Sequence, residues 1–407
     1  MIAPRAMGRA SPFALFNPLA AASAGLFLLT LVQYSRLMLF VLPPVASLGL
    51  LLVIASGTIG LLVLAEGVYS IFPFVFFLNV VILVLVSLMV FSMRSDSPND
   101  YRALGAISGA LLYFPVFCLC RRLGVEEGLR IIALILLGYA TLYVLLASVV
   151  VFADGFQNAP DVSLILNDPF RSRRVYFLAS AGALLLFLSG GRTGVLPGPL
   201  AWLALAAALA AFLLAQSRVP SAILLLLLVA WFLRADRLLA WMLPAVPVGL
   251  LVIGLVGSMM APELSRALLA QDMPTLRLRA ETLSVAADLF EAHTLIGFGM
   301  AADFSKAQEM LRVSLYFEDL GPIGIAGIGG LAWLAWLVTT AAICAVVSHR
   351  CLMARRPLER ALGFAGAFAL LMSTTSANLL TGDGGIVFAT IWAASNALRE
   401  REAALPR

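Results

Sequence analysis

Between Trp202 and Arg234 the chain reads WLALAAALAAFLLAQSRVPSAILLLLLVAWFLR, two apolar runs broken once, at AQSRVP. Runs of this length and uniformity suit hydrocarbon rather than water, since a membrane-crossing helix needs about 20 consecutive apolar residues. Arg218 lies inside the break, and an arginine at the bilayer centre costs about 2.5–3.5 kcal/mol even on lenient scales. The break is therefore read as a tight turn held at a membrane surface, with a span on either side.

The rest of the chain repeats the pattern. Of its 407 residues 62% are hydrophobic and 12% are charged, about half the charge of a soluble domain. No soluble core could absorb that apolar surface, so the composition predicts a polytopic membrane protein and excludes a water-soluble enzyme. The runs are rich in Leu, Ala, Val and Ile without strict alternation, which predicts an all-α fold rather than a barrel. The first run has no small-residue cleavage site after it and leads into further runs, so it is read as a span and not as a signal peptide. The length rule places about twelve spans, at 13–33, 37–64, 72–93, 103–120, 129–152, 175–189, 194–215, 219–233, 240–260, 322–347, 358–376 and 384–397. No linker separates a second domain, so residues 1–407 form one integral membrane domain. The second span is overlong, and its ASGTIG suggests a break or tilt. The short sixth and eighth spans suggest helices that end early, at a cavity.

Charge sets the orientation. The loop 348–360 carries Arg350, Arg355, Arg356 and Arg360 against Glu359, and is placed in the cytoplasm. The segment 261–321 has five basic residues against nine acidic ones, and is placed outside as one large, partly helical periplasmic loop. Counting back through the spans puts RRLGVEEGLR (121–130), RADR (234–237) and both termini inside. Arg218 then falls on the outer face, with the loop 153–174 that ends in Arg171, Arg173 and Arg174. Within the long loop, TLRLRAETLSVAADLFEAH aligns Leu276, Leu283, Ala287 and Phe290 on one helical face. Thr275 is the expected N-cap, and the GFG at 297–299 the stop. The basic residues are scattered among loops, which points to topology rather than nucleic acid. Cys118, Cys120, Cys344 and Cys351 lack metal-ligand spacing with histidine and are read as packing residues; no metal or cofactor is expected.

The spans hold almost no ionisable groups, which argues against an ion-coupled transporter and for chemistry at an interface. The outer inventory is arginine and carboxylate. Guanidinium groups pair bidentately with phosphate oxygens, and in a membrane the fitting anion is a lipid phosphate or pyrophosphate. Glycosyl transfer from a pyrophosphate lipid needs cations on the leaving group and a base for the attacking hydroxyl. Glu318, Asp319 and His293 are the candidate bases. Blander roles stand beside these: headgroup contact for Arg218 and Arg174, pairing with Glu281 for Arg277, a turn for His293, a cap for Glu318 and Asp319.

The order of these features resembles the O-antigen ligase and O-antigen polymerase family of bacterial envelope proteins, over roughly residues 170–345. Ser217-Arg218 stands before a Leu-rich span. Arg279 precedes AETLSVAADLFEAHTLIGFG, similar to a helix ending in Pro-Leu-x-Gly-x-Gly, and LGPIGIAG at 320–327 resembles the family's Gly-x-x-Gly span start. Thr294 stands where proline is usual. RVSLYFEDLGPIG keeps Tyr316 but lacks the His-Asn-x-Tyr histidine of ligases, which tilts the resemblance toward polymerases. It implies a metal-independent, inverting transfer on the periplasmic face of the inner membrane, polymerising an undecaprenyl-pyrophosphate-linked oligosaccharide into a surface or secreted polysaccharide. Arg218 and Arg279 would bind the donor pyrophosphate, assisted by Arg277 and Arg174. Glu318 or Asp319 would orient or deprotonate the acceptor, and Ser217 and Tyr316 would line the substrate. Membrane lipid and a chain-length regulator are the implied partners. An O-antigen ligase joining glycan to lipid A–core, and a polysaccharide or lipid flippase or transporter, are the alternatives.

Overall fold

The computed structural model describes residues 17–35, 48–67, 70–95, 101–152, 165–166, 174–190, 193–269, 274–299, 311, 320–376, 379 and 382–403. In chain order the helices are α1 (Pro18–Ser35), α2 (Leu48–Ala65), α3 (Phe72–Ser95), α4 (Ser108–Leu111, led in by a 3-10 segment at Tyr101–Ile107), α5 (Tyr113–Leu123), α6 (Val125–Phe152), α7 (Ala179–Leu188), α8 (Gly198–Ala215), α9 (Arg218–Phe232), α10 (Asp236–Met242), α11 (Ala245–Leu269), α12 (Pro274–Ala292), α13 (Pro322–Met353), α14 (Pro357–Met372) and α15 (Asp383–Ala403). A two-residue antiparallel pairing of β1 (Ile165–Leu166) with β2 (Arg174–Val175) lies between α6 and α7.

The chain is an all-α polytopic membrane protein, and among the described residues eight helical stretches are long and apolar enough to cross a membrane. The apolar segments beyond those eight are α7, α9, α14 and α15, which are shorter or less apolar. For α7, α14 and α15 the surroundings explain this. All ten residues of α7 are buried, and α15 is buried from Asp383 through Ser395. A helix enclosed by protein need be neither long nor uniformly apolar, because its neighbours rather than lipid solvate it. α15 packs against α4, α5, α6, α7, α13 and α14 and forms the central pillar. Trp392 on it meets Tyr113 at 4.9 Å and Phe76 at 5.5 Å between ring centroids. The flank made by α8, α9 and α10 is the reverse case, with Trp202 73%, Phe232 78% and Trp241 71% exposed, as lipid-facing side chains should be.

One sequence expectation changes here. The ASGTIG segment does not break α2, which runs continuously through it. A Cβ on Gly60 would lie 2.9 Å from the Phe114 ring, so this glycine serves close packing against α5 rather than a bend.

Among the described residues, the ion pairs that join different elements gather at one end of the bundle. Glu66 pairs with Arg122 and lies 3.9 Å from Arg121, which also meets Glu400 at 3.5 Å. Arg356 meets Glu402 at 3.8 Å, and Arg360 meets Asp236 at 3.1 Å. Apart from Glu66, these residues lie in the loops and the terminus that the charge count places on one face, so the spatial grouping and the charge count agree. Helix direction then carries Arg94, Arg218, the start of α13 and Asp383 to the opposite end. The four cysteines are free and buried, as packing residues should be.

Candidate functional site

At the opposite end, the described part of the segment 261–321 packs on the bundle. α11 continues to Leu269, well past the expected span end, and α12 folds back along it. The Ser265 hydroxyl donates to the Ala280 carbonyl at 2.9 Å, a buried tie between the two. Leu283, Ala287 and Phe290 are buried as their spacing predicts, joined by Ala280 and Ala286. α12 begins at Pro274, which makes Thr275 its second residue rather than the residue before it. Small residues bring the helices close, as is usual between packed membrane helices. A Cβ on Gly254 would touch Leu334 at 2.5 Å, and one on Gly327 would touch the backbone of Ala286 at 2.8 Å.

After α12 the chain forms a strap. The amide of Gly297 donates to the His293 carbonyl at 2.8 Å, closing a turn. The strap then seats in a break of α13 at Gly330, whose φ of 64° and ψ of −162° are not helical. The amides of Leu331 and Ala332 are freed by that break. They donate to the carbonyls of Thr294 and Leu295 at 2.8 and 3.0 Å, while the Gly299 amide donates to Ile328 at 2.9 Å. Irregular backbone at membrane depth persists only when its polar groups are satisfied in this way. The two glycine-rich elements singled out in the sequence, TLIGFG and GPIGIAGIGG, are thus each other's packing partners. Thr294 contributes its carbonyl to the seat, a group that proline would supply equally.

The anticipated site residues fall as follows. Ser217 is the N-cap residue of α9 but makes no side-chain capping bond, and Arg218, exposed, is the helix's first residue. Gln216 before them adopts the left-handed conformation, φ 50° and ψ 30°, so the sequence break is indeed a tight turn between helices. Arg279 is exposed on α12, and among the described residues neither it nor Arg218 makes an ion pair. Arg277 pairs with Glu281 at 3.4 Å with 74% of its side chain exposed, a contact worth about 0.3–0.5 kcal/mol and easily released. α9 packs on α8, α10 and α14, whereas α12 packs on α11 and α13, so the two unpaired arginines belong to different packing groups at one end. His293 forms the turn after α12, its ring 6.2 Å from Phe298. Arg174 lies in β2, its side chain outside the described residues, as are Tyr316, Glu318 and Asp319 altogether.

One residue at this end escaped the sequence reading. Asp383, only 6% exposed, begins α15 and accepts a hydrogen bond from the Ser180 amide at 2.7 Å. Ser180 is the second residue of α7, so the carboxylate faces the N-termini of two helices, where negative charge is favoured. Beside it the Tyr139 hydroxyl accepts from the Leu178 amide at 3.0 Å. These bonds hold the start of α7 deep in the protein. The signal was present in TGDGG, an acidic residue at a helix start among glycines. It was passed over because Asp383 sits at the edge of the last apolar run.

Among the described residues no group of three or more His, Cys, Asp or Glu is placed to hold a metal ion. No family model matches the chain, and no curated protein matches it.

Proposed function

We propose that the chain is a polymerase of lipid-linked glycans, acting at the outer face of a bacterial cytoplasmic membrane with both termini inside. The observation that supports this reading is the strap. By seating in α13 it fixes α12, and so presents Arg279 from a rigid support at the end of the bundle where Arg218 opens α9. Guanidinium groups on fixed elements, without an ion pair among the described residues, suit a diphosphate, whose oxygens they bind bidentately. In the transfer, the acceptor hydroxyl oxygen attacks the anomeric carbon of the donor. The bond to pyrophosphate breaks with inversion, and undecaprenyl pyrophosphate leaves with its new negative charge on Arg218 and Arg279. The hydroxyl proton passes to Glu318 or Asp319. Arg277, Arg174, Ser217 and Tyr316 complete the substrate surface in this scheme, and a chain-length regulator is the protein partner it calls for. Ligation of the glycan to lipid A–core uses the same donor chemistry with another acceptor.

One observation favours a different class. A buried carboxylate such as Asp383 is what an ion-coupled transporter uses. Its placement against the amide of Ser180 at a helix start gives it a structural task instead.

The test is reconstitution in nanodiscs with an undecaprenyl-pyrophosphate-linked oligosaccharide. The native chain should produce a ladder of longer glycans on the lipid, and Arg218→Ala and Arg279→Ala should each abolish it with protein levels unchanged. A ladder that survives both substitutions refutes the diphosphate role. Product only after addition of lipid A–core identifies a ligase, and no product with either acceptor refutes the enzyme reading.

A further inference from the structure

The strap is held from a second side, by a helix from the other half of the chain. Ser87, Phe91 and Arg94 of α3 follow one another at four- and three-residue spacing and so share one helical face. Each meets the C-terminal unit. The Ser87 hydroxyl accepts from the Trp333 indole at 3.1 Å, just past the break in α13. Phe91 meets Phe298 edge to face at 5.8 Å between ring centroids. Gly299, at φ 105°, lies so close that a Cβ there would be 2.5 Å from the Phe91 amide nitrogen and 2.6 Å from the Ser87 carbonyl oxygen. Arg94, in the last turn of α3, donates to the carbonyl of Gly297.

We propose that Arg94 is a positioning residue, which latches the strap and thereby sets the orientation of α12 and Arg279. This rests on the polymerase reading for its consequence, although the latch itself does not. Three features favour a latch over an arginine merely reaching toward headgroups. A cationic donor on a carbonyl makes one of the stronger hydrogen bonds. That carbonyl belongs to the strap's central glycine, whose φ of 69° leaves no room for a side chain, since a Cβ would lie 2.3 Å from the Ile328 carbonyl oxygen. The same face of α3 also meets Phe298 and Gly299 of the strap and Trp333 of α13.

Amide hydrogen exchange on the full chain in nanodiscs reads the latch directly, and glycan turnover in the same preparations reads its consequence. In Arg94→Ala, exchange at Gly299, Leu331 and Ala332 should rise roughly tenfold or more, the factor that loss of a charge-assisted bond produces. Maximal turnover should fall by a similar factor with the donor KM changed far less. Arg94→Lys keeps a cationic donor and should recover a large part of both. Unchanged exchange in Arg94→Ala overturns the latch. Faster exchange with full turnover overturns its link to transfer. A failure of the polymerase reading shows separately, as a ladder that survives Arg279→Ala, and leaves the exchange result standing.

Discussion

Replacing Gly330 by alanine tests whether the break in α13 is built for the strap. The backbone there, φ 64° and ψ −162°, belongs to a region that essentially only glycine visits, and strain of this kind costs about 1–3 kcal/mol. The new methyl would also lie 2.5 Å from the Gly297 nitrogen and 2.7 Å from the Thr294 carbonyl oxygen. Both are backbone atoms, so no side-chain rotation relieves the contact. If the strap lifts away, the Leu331 and Ala332 amides lose their acceptors, at about 1–3 kcal/mol each. The substitution should therefore destabilise the protein by at least about 2 kcal/mol, a factor of roughly thirty in the folded-to-unfolded ratio. Gly138→Ala is the control, because nothing lies within 4 Å of a Cβ there; it should be neutral or stabilising by up to about 1 kcal/mol. Stability of the two variants in matched detergent, by unfolding monitored through tryptophan fluorescence, makes the comparison. Equal stability of Gly330→Ala and Gly138→Ala would refute the account of the break.

Other outcomes follow from the same contacts. Asp383→Ala leaves the Ser180 amide without its acceptor and should cost about 1.5–3 kcal/mol, whereas Asp383→Asn, which keeps a carbonyl oxygen, should cost less; identical unfolding midpoints for the two would remove the carboxylate from this role. Cys118, Cys120, Cys344 and Cys351 are buried, so a maleimide should label none of them in the folded protein and all of them after denaturation, as counted by intact mass. Prompt labelling of the native chain would contradict the packing around α5 and α13.

Periodicity made much of this legible. The face of α12 could be read because Leu283, Ala287 and Phe290 recur at helical spacing, and the turn at Ser217 because an arginine cannot lie mid-span. Two contacts that matter most at the far end were not legible. Arg94 with Gly297, and Ser180 with Asp383, each join residues 203 positions apart, and no local pattern encodes a partner at that distance. The break at Gly330 was hidden for a related reason. GIAGIGGLAWL is apolar on both sides, so its hydropathy reads as one uninterrupted run. Only the strap's arrival shows which glycine leaves the helix. ASGTIG misled in the opposite direction, since a glycine that admits a neighbouring ring looks the same in sequence as one that bends the chain.

The central pillar has a consequence for biogenesis. α15, which touches six other helices, is also the last of the described helices to leave the ribosome. The helices around it must wait in the bilayer with an unfilled centre, and α7 waits without the carboxylate that receives its first turn. Assembly therefore closes from the C-terminus inward, and a nascent chain cut short before residue 383 lacks its keystone however many apolar segments it has already inserted.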